Sequence, residues 1–174
     1  QCYPDPKSLD SSVYAPNPTP IAEGAPQNWP LRLEQSGFRL PTEAEWEIAA
    51  RFGTRTTYGF GGDESLLDQY AWFQDNSDGQ TKLPRTLRPN LAGLFDMHGN
   101  MLEWCHDWYG NYEATADPLG AAGGSDRIIR GGGWDYTASF CRSAFRDTNE
   151  PTSRAGSVGF RLALSPSIES SEAE

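Results

Sequence analysis

The stretch Leu94 to Tyr109, LFDMHGNMLEWCHDWY, constrains the fold more than any other part of the chain. It crowds Phe95, Met97, Met101, Leu102, Trp104 and Trp108 among Asp96, His98, Asn100, Glu103, Cys105, His106 and Asp107, with Gly99 as its one permissive backbone position. The apolar positions do not follow a helical period, and they alternate well enough for two short strands joined by a turn at His98, Gly99 and Asn100. The Asn100 amide and the Glu103 carboxylate could then face one point, and two readings of that pair stand. Hard cations take oxygens from such side chains and from turn carbonyls, which would make a calcium site. Alternatively, Asn100 occupies a left-handed turn position while Glu103 bonds backbone or an arginine.

The rest of the chain must be rich in loops. Its 174 residues include 18 Gly and 13 Pro, which punctuate regular elements. Cohesion therefore falls to the aromatic residues, 12% of the sequence, because each buries a large area. This length suits one domain with a sizeable core. A formal net charge of −10 argues against nucleic acid or an anionic membrane surface as a partner, since both need basic patches. No stretch approaches the roughly 18 apolar residues of a membrane span, and the opening residues lack a signal peptide's charged-then-apolar pattern. The chain reads as soluble, and the residues do not assign it to cytoplasm or cell envelope.

Residues 1–36 are crowded with proline and read as an irregular, extended arm. The segment GFRLPTEAEWEIAARFG at 37–53 predicts a strand and then a short helix. Thr42 and Glu45 form a capping box, and Gly53 supplies the stop. Trp46, Ala49 and Ala50 form the buried face, and Glu47 and Arg51 pair one turn apart. Asp75 to Gly79 resembles the start of a calcium loop but lacks the later acidic ligands, so its composition supports an Asx turn. Arg127 to Arg130 predicts a strand entering the glycine hinge Gly131-Gly132-Gly133. Cys141 to Asp147 and Val158 to Leu164 read as two more strands, and a polar tail begins at Ser165.

Catalytic patterns are sparse. The chain has no Gly-x-Ser-x-Gly nucleophile turn, and His98 and His106 have no third partner at a ligand spacing. Cys2, Cys105 and Cys141 show no zinc spacing. They form either one disulfide, with Cys105 and Cys141 the favoured pair because both flank the aromatic core, or three free thiols.

Five segments in order, RLPTEAEWEIAAR at 39–51, LRPNLAGLFDMHGNMLEWCHDWY at 87–109, RIIRGGGW at 127–134, CRSAFRD at 141–147 and GFRLAL at 159–164, resemble the formylglycine-generating enzyme, or sulfatase-modifying factor, family. The resemblance implies an α+β, C-type-lectin-like fold over residues 37–164, loop-rich with little regular secondary structure. It also implies calcium, with Asn100, Glu103 and the carbonyls near Gly99 and Met101 matching one site and Asn76 near the start of another. The family normally opens with further strands and a helix, so an upstream half of the domain is expected. True formylglycine-generating members oxidise a substrate cysteine with two copper-binding cysteines in the loop after the Gly-Gly-x-aromatic motif. Here Tyr136 stands at the first position and no cysteine fills the second, so copper is not expected. Cys141 matches a structural cysteine of the family, whose usual partner position is Ala50 here.

Where the enzyme has its groove, this sequence places Asp135, Tyr136, Thr137, Phe140, Phe145, Asp147 and Glu150. Tyr and Phe give contact area at low entropic cost. The stretch also resembles the variable segment of retroelement-diversified proteins of the same fold. The expectation is a non-catalytic module recognising a protein or small-molecule ligand. The alternatives are a formylglycine-generating oxidase and an accessory domain of a larger enzyme such as a kinase fusion.

Overall fold

The structure, a computed structural model, describes residues 36–111 and 120–165. The proline-rich arm up to residue 35, Cys2 and the tail beyond Ser165 lie outside the described residues. Strand β1 (Gly37–Arg39) leads into helix α1 (Glu43–Arg51). Thr42 caps the helix: its hydroxyl accepts from Glu45 N at 3.2 Å while Glu45 accepts from Thr42 N at 2.8 Å. The stop begins one residue before Gly53, because Phe52 already takes a left-handed conformation (φ 42°). Trp46 and Ala50 are buried, Ala49 packs beside them, and Arg51 Nε meets Glu47 at 2.7 Å.

A four-stranded sheet of order β4-β3-β2-β5 forms the centre, from β2 (Leu102–Trp108), β3 (Arg127–Arg130), β4 (Asp147–Asn149) and β5 (Val158–Gly159). β2 pairs antiparallel with β3 and parallel with β5, and β3 pairs antiparallel with β4. β6 (Ala163–Ser165) closes a separate antiparallel ribbon with β1. Both faces of β3 are covered. One apolar cluster joins Trp46 and Ala50 to Met97, Cys105 and Ile128, and another joins Tyr58, Leu67, Ala71, Phe73 and Cys141.

Three strand expectations are corrected. The segment 94–109 holds one strand, not two, because Asp96 (φ 56°), Gly99 (φ 87°) and Asn100 (φ 66°) are left-handed and the backbone cannot extend through them. Gly99 is needed there for a second reason: a Cβ would lie 2.3 Å from the Trp72 carbonyl oxygen. Between Cys141 and Arg146 the chain turns, with Cys141 N and Ser143 N bonded to the carbonyls of Ala138 and Thr57. Only Asp147–Asn149 reaches the ladder. The stretch Val158 to Leu164 splits into β5 and β6, because its two ends pair with different sheets.

His98 packs against the second cluster, edge-on to Tyr58. Its Nε2 accepts from Gly59 N at 3.0 Å, and its Nδ1 lies 2.8 Å from the Cys141 carbonyl oxygen. Burial lowers its pKa to about 4, against the opposing pull of the Cys141 carbonyl. Burial instead raises Asp107 to about 6, although Asp107 accepts from Glu43 N at 2.7 Å. Stability from His98 is full above pH 6.5 and falls as pH drops toward 4, because the unfolded chain binds that proton first. Asp107 has the opposite slope: its contribution is full below pH 3.8 and is lost as pH rises through about 6. Urea unfolding between pH 6.5 and 4 should show an acid-side loss of at most about 3 kcal/mol from His98. An Asp107→Asn variant should lose stability more steeply over the same window, since the compensating slope is gone.

Candidate functional site

The glycine hinge after β3 builds the site. Gly131 (φ 104°) and Gly132 (φ 73°) are left-handed, and a Cβ on Gly132 would fall 2.8 Å from Cys141 Sγ. The chain can therefore fold back against the Cys141 turn. The loop that follows is pinned at both ends: Trp134 N donates to the Asn100 carbonyl at 2.9 Å, and Gln74 N donates to the Tyr136 carbonyl at 2.9 Å.

This loop and the turn before β4 bring four of the expected site residues together. Tyr136 and Phe140 meet edge to face with centroids 5.6 Å apart, and Phe140 meets Phe145 at 4.9 Å. The Tyr136 hydroxyl donates to Asp147 Oδ2 at 3.3 Å. Burial, followed by the carboxylates of Asp147 and Asp135, pushes the Tyr136 hydroxyl above its ordinary pKa. Thr137 Oγ1 instead lies 3.0 Å from Ser139 Oγ. Asp135 and Glu150 are exposed at the start of the loop and just after β4, and neither makes a hydrogen bond to the rings.

The cysteines do not form the expected disulfide. Cys105 and Cys141 are free thiols buried in the two different apolar clusters, one on the central strand and one beyond the hinge. Burial holds the Cys105 thiol well above its ordinary pKa and moves Cys141 up to about 12. Both stay protonated at neutral pH, and metal ligation and nucleophilic chemistry both need the thiolate.

The calcium expectation also meets a different arrangement. Glu103 is buried, but both of its oxygens are taken: Trp46 Nε1 donates to Oε2 at 2.7 Å, Arg161 Nη2 donates to Oε1 at 2.7 Å, and Arg161 Nε also donates to Oε2. Asn100 Oδ1 accepts from Lys82 N at 3.0 Å, and the Gly99 carbonyl accepts from Met101 N at 2.9 Å. Asn76 closes its own turn, accepting from Phe73 N at 2.8 Å and donating to the Ala71 carbonyl at 2.9 Å. Calcium needs about six to eight oxygens free to converge, and here a guanidinium already supplies the positive charge beside Glu103. As arranged, Glu103, Asn100, the Gly99 carbonyl and Asn76 each already accept a hydrogen bond from the protein, while Asp96, Asn100, Met101 and Glu103 line one cavity. Among the described residues, no group of three or more His, Cys, Asp or Glu side chains could hold a metal.

The residues that sequence reasoning missed are arginines. An arginine at Glu103 is one of the two sequence readings, and Asn100 is left-handed as that reading has it, but Arg161 was not named; Arg130 was missed altogether. Arg130 is wholly buried, pairing with Glu47 and facing Glu43 at 3.5 Å. The available signal was a charged residue flanked by apolar neighbours in a strand, opposite helix carboxylates four apart.

The sulfatase-modifying factor enzyme 1-like domain matches residues 10–166. The chain belongs to that family. It is 37% identical over 157 residues to the formylglycine-generating enzyme of Streptomyces coelicolor, which covers 79% of this chain and 50% of the enzyme. It is 40% identical over 136 residues to the serine/threonine-protein kinase pkn1 of Chlamydia pneumoniae, covering 75% of this chain and 21% of the kinase. Among solved structures, Treponema denticola variable protein 1 superposes with a TM-score of 0.76 at 39% identity, covering 80% of this chain and 52% of that one. The family member described here thus spans about half the length of the bacterial enzyme and about a fifth of the kinase. Its fold is the loop-rich α+β fold of the formylglycine-generating-enzyme type. Among the described residues no helix is long and apolar enough to cross a membrane.

Replacing Arg161 with Ala leaves the Glu103 carboxylate buried with only the Trp46 N–H, and should lower stability by about 2 to 4 kcal/mol. Adding Glu103→Gln to Arg161→Ala should recover part of that loss, because the orphaned charge is removed. Denaturant melts of the two variants check this.

Proposed function

We propose that this chain is a non-catalytic recognition module on the family's lectin-like scaffold, with its binding face at Tyr136, Phe140, Phe145 and Asp147. One observation carries the reading. In the loop after the glycine hinge, where the resemblance expects the first catalytic cysteine, Tyr136 is locked into a ring cluster by Phe140 and Asp147. The described thiols support the same reading, since both are buried and protonated. Rigid rings with an attached carboxylate offer contact area and a polar anchor, which suits binding and supplies no redox centre. The same scaffold occurs in Treponema denticola variable protein 1. The 40% identity to a segment covering one fifth of a protein kinase favours a second reading, that the module serves as an accessory part of a larger enzyme.

Incubating the chain with copper, oxygen, a thiol reductant and a cysteine-containing sulfatase peptide is expected to yield no aldehyde by mass spectrometry. Aldehyde formation that depends on the chain and on the substrate cysteine would overturn the reading. We also propose that the Arg161 guanidinium does at Glu103 what an ion would do elsewhere in the family. A ligand that binds only the folded state raises the melting midpoint. The midpoint in millimolar calcium should therefore equal that in chelator, and a clear rise with calcium would restore the ion.

A further inference from the structure

We propose that the face built by Tyr136, Phe140, Phe145 and Asp147 docks an arginine side chain of a partner protein, an inference that rests on the recognition reading above. The argument begins with how this chain uses arginine elsewhere. Arg130 lies over the Trp46 ring at 5.2 Å while pairing with Glu47. Arg146 lies over Tyr109 at 5.3 Å while Glu43 takes its guanidinium at 2.6 Å. Ring, carboxylate and guanidinium form one repeated unit, in which the cation gains from the ring's negative face and from the carboxylate together.

At Tyr136 and Asp147 the ring and the carboxylate are present without the cation. Asp147 is half-buried and accepts from the Tyr136 hydroxyl and, at 2.8 Å, from Thr148 N. Among the described residues no guanidinium or ammonium pairs with Asp147 or with neighbouring Asp135. By contrast, Glu43, Glu45, Glu47 and Glu103 each have an arginine. Arg142, the cation nearest in sequence to Phe140, donates instead to the Ser139 carbonyl at 2.6 Å.

The surface is open enough to be used. Phe140 is 39% exposed, Tyr136 and Phe145 are half-buried, and an edge-to-face contact covers at most one face of one ring of each pair. Charge complementarity selects a basic occupant, because the chain carries a net charge of −10. It selects arginine over lysine because a planar guanidinium can lie on a ring while bonding a carboxylate edge, whereas an ammonium is a compact, strongly hydrated point charge. Asp147 keeps acceptor capacity for this, since a carboxylate offers about four lone-pair positions and two are in use.

The test uses the full chain and a labelled Gly-Arg-Gly-Arg-Gly peptide, with its citrulline and lysine counterparts, followed by fluorescence anisotropy and by NMR shifts of the protein. The expected result is binding of the arginine peptide with shifts centred on Tyr136, Phe140 and Phe145, weaker binding of the lysine peptide, and none of the citrulline peptide. Asp147→Asn keeps the bond from Thr148 N, can donate its amide N–H to the Tyr136 oxygen in place of accepting there, and removes the charge; it should weaken binding about fivefold or more. Phe140→Ala should do the same, while Asp68→Asn, an exposed acid elsewhere, should change it less than about twofold. Should Phe140→Ala fail to fold, Asp147→Asn alone decides. Binding equal in Asp147→Asn and the parent chain, equal binding of the citrulline peptide, shifts spread over the whole acidic surface, or no binding would each overturn this proposal. None of these outcomes bears on aldehyde formation, which judges the recognition reading separately.

Discussion

A guanidinium shut off from solvent organises this molecule. Arg130 has no exposed surface, and an unpaired charge there would cost several kcal/mol. Its compensation comes from two parts of the chain at once: Glu43 and Glu47 on α1, and the Ser143 carbonyl at 3.0 Å with the Phe145 carbonyl in the turn before β4. Glu43 reaches further, gripping Arg146. The helix, the inner strand β3 and the turn before β4 are thereby fixed to one another, and Phe145 is held where its ring can meet Phe140. Of the candidate binding face, the Phe145 backbone is bonded directly to that buried charge.

The same logic governs Glu103. A buried carboxylate must find compensation, and an ion or an arginine can each supply it. In this chain, the turn after β5 carries Arg161 back to the central strand, and Trp46 adds its N–H. The consequence is mechanical as much as electrostatic, since one side chain ties α1, β2 and the segment between β5 and β6. The buried thiols, raised far from the thiolate range, are packing groups.

Much of this architecture was legible in the residues. The capping box at Thr42 and Glu45, the buried stripe of Trp46 and Ala50, and the strand Arg127–Arg130 depend on contacts within a few positions, so local pattern suffices to read them. The two extra strands expected around Met97 and Cys141 failed for a reason that pattern does not carry. Alternating polarity is compatible with a strand, but Asp96, Gly99 and Asn100 are left-handed, and the Gly99 backbone packs against Trp72, which is distant in sequence. Likewise Cys105 and Cys141 both flank aromatic residues, yet the sheet and the hinge send them into separate clusters.

The family, the helix with its caps and the aromatic and acidic residues after the glycine hinge are all written in short-range order and composition. That Glu103 answers to Arg161, that Arg130 anchors the helix carboxylates, and that Tyr136, Phe140, Phe145 and Asp147 share one face came with the folded packing. Those are choices of partner among many charges and rings of the same kind. They are made by chain segments that meet only after the backbone has folded, when burial makes every unpaired charge expensive.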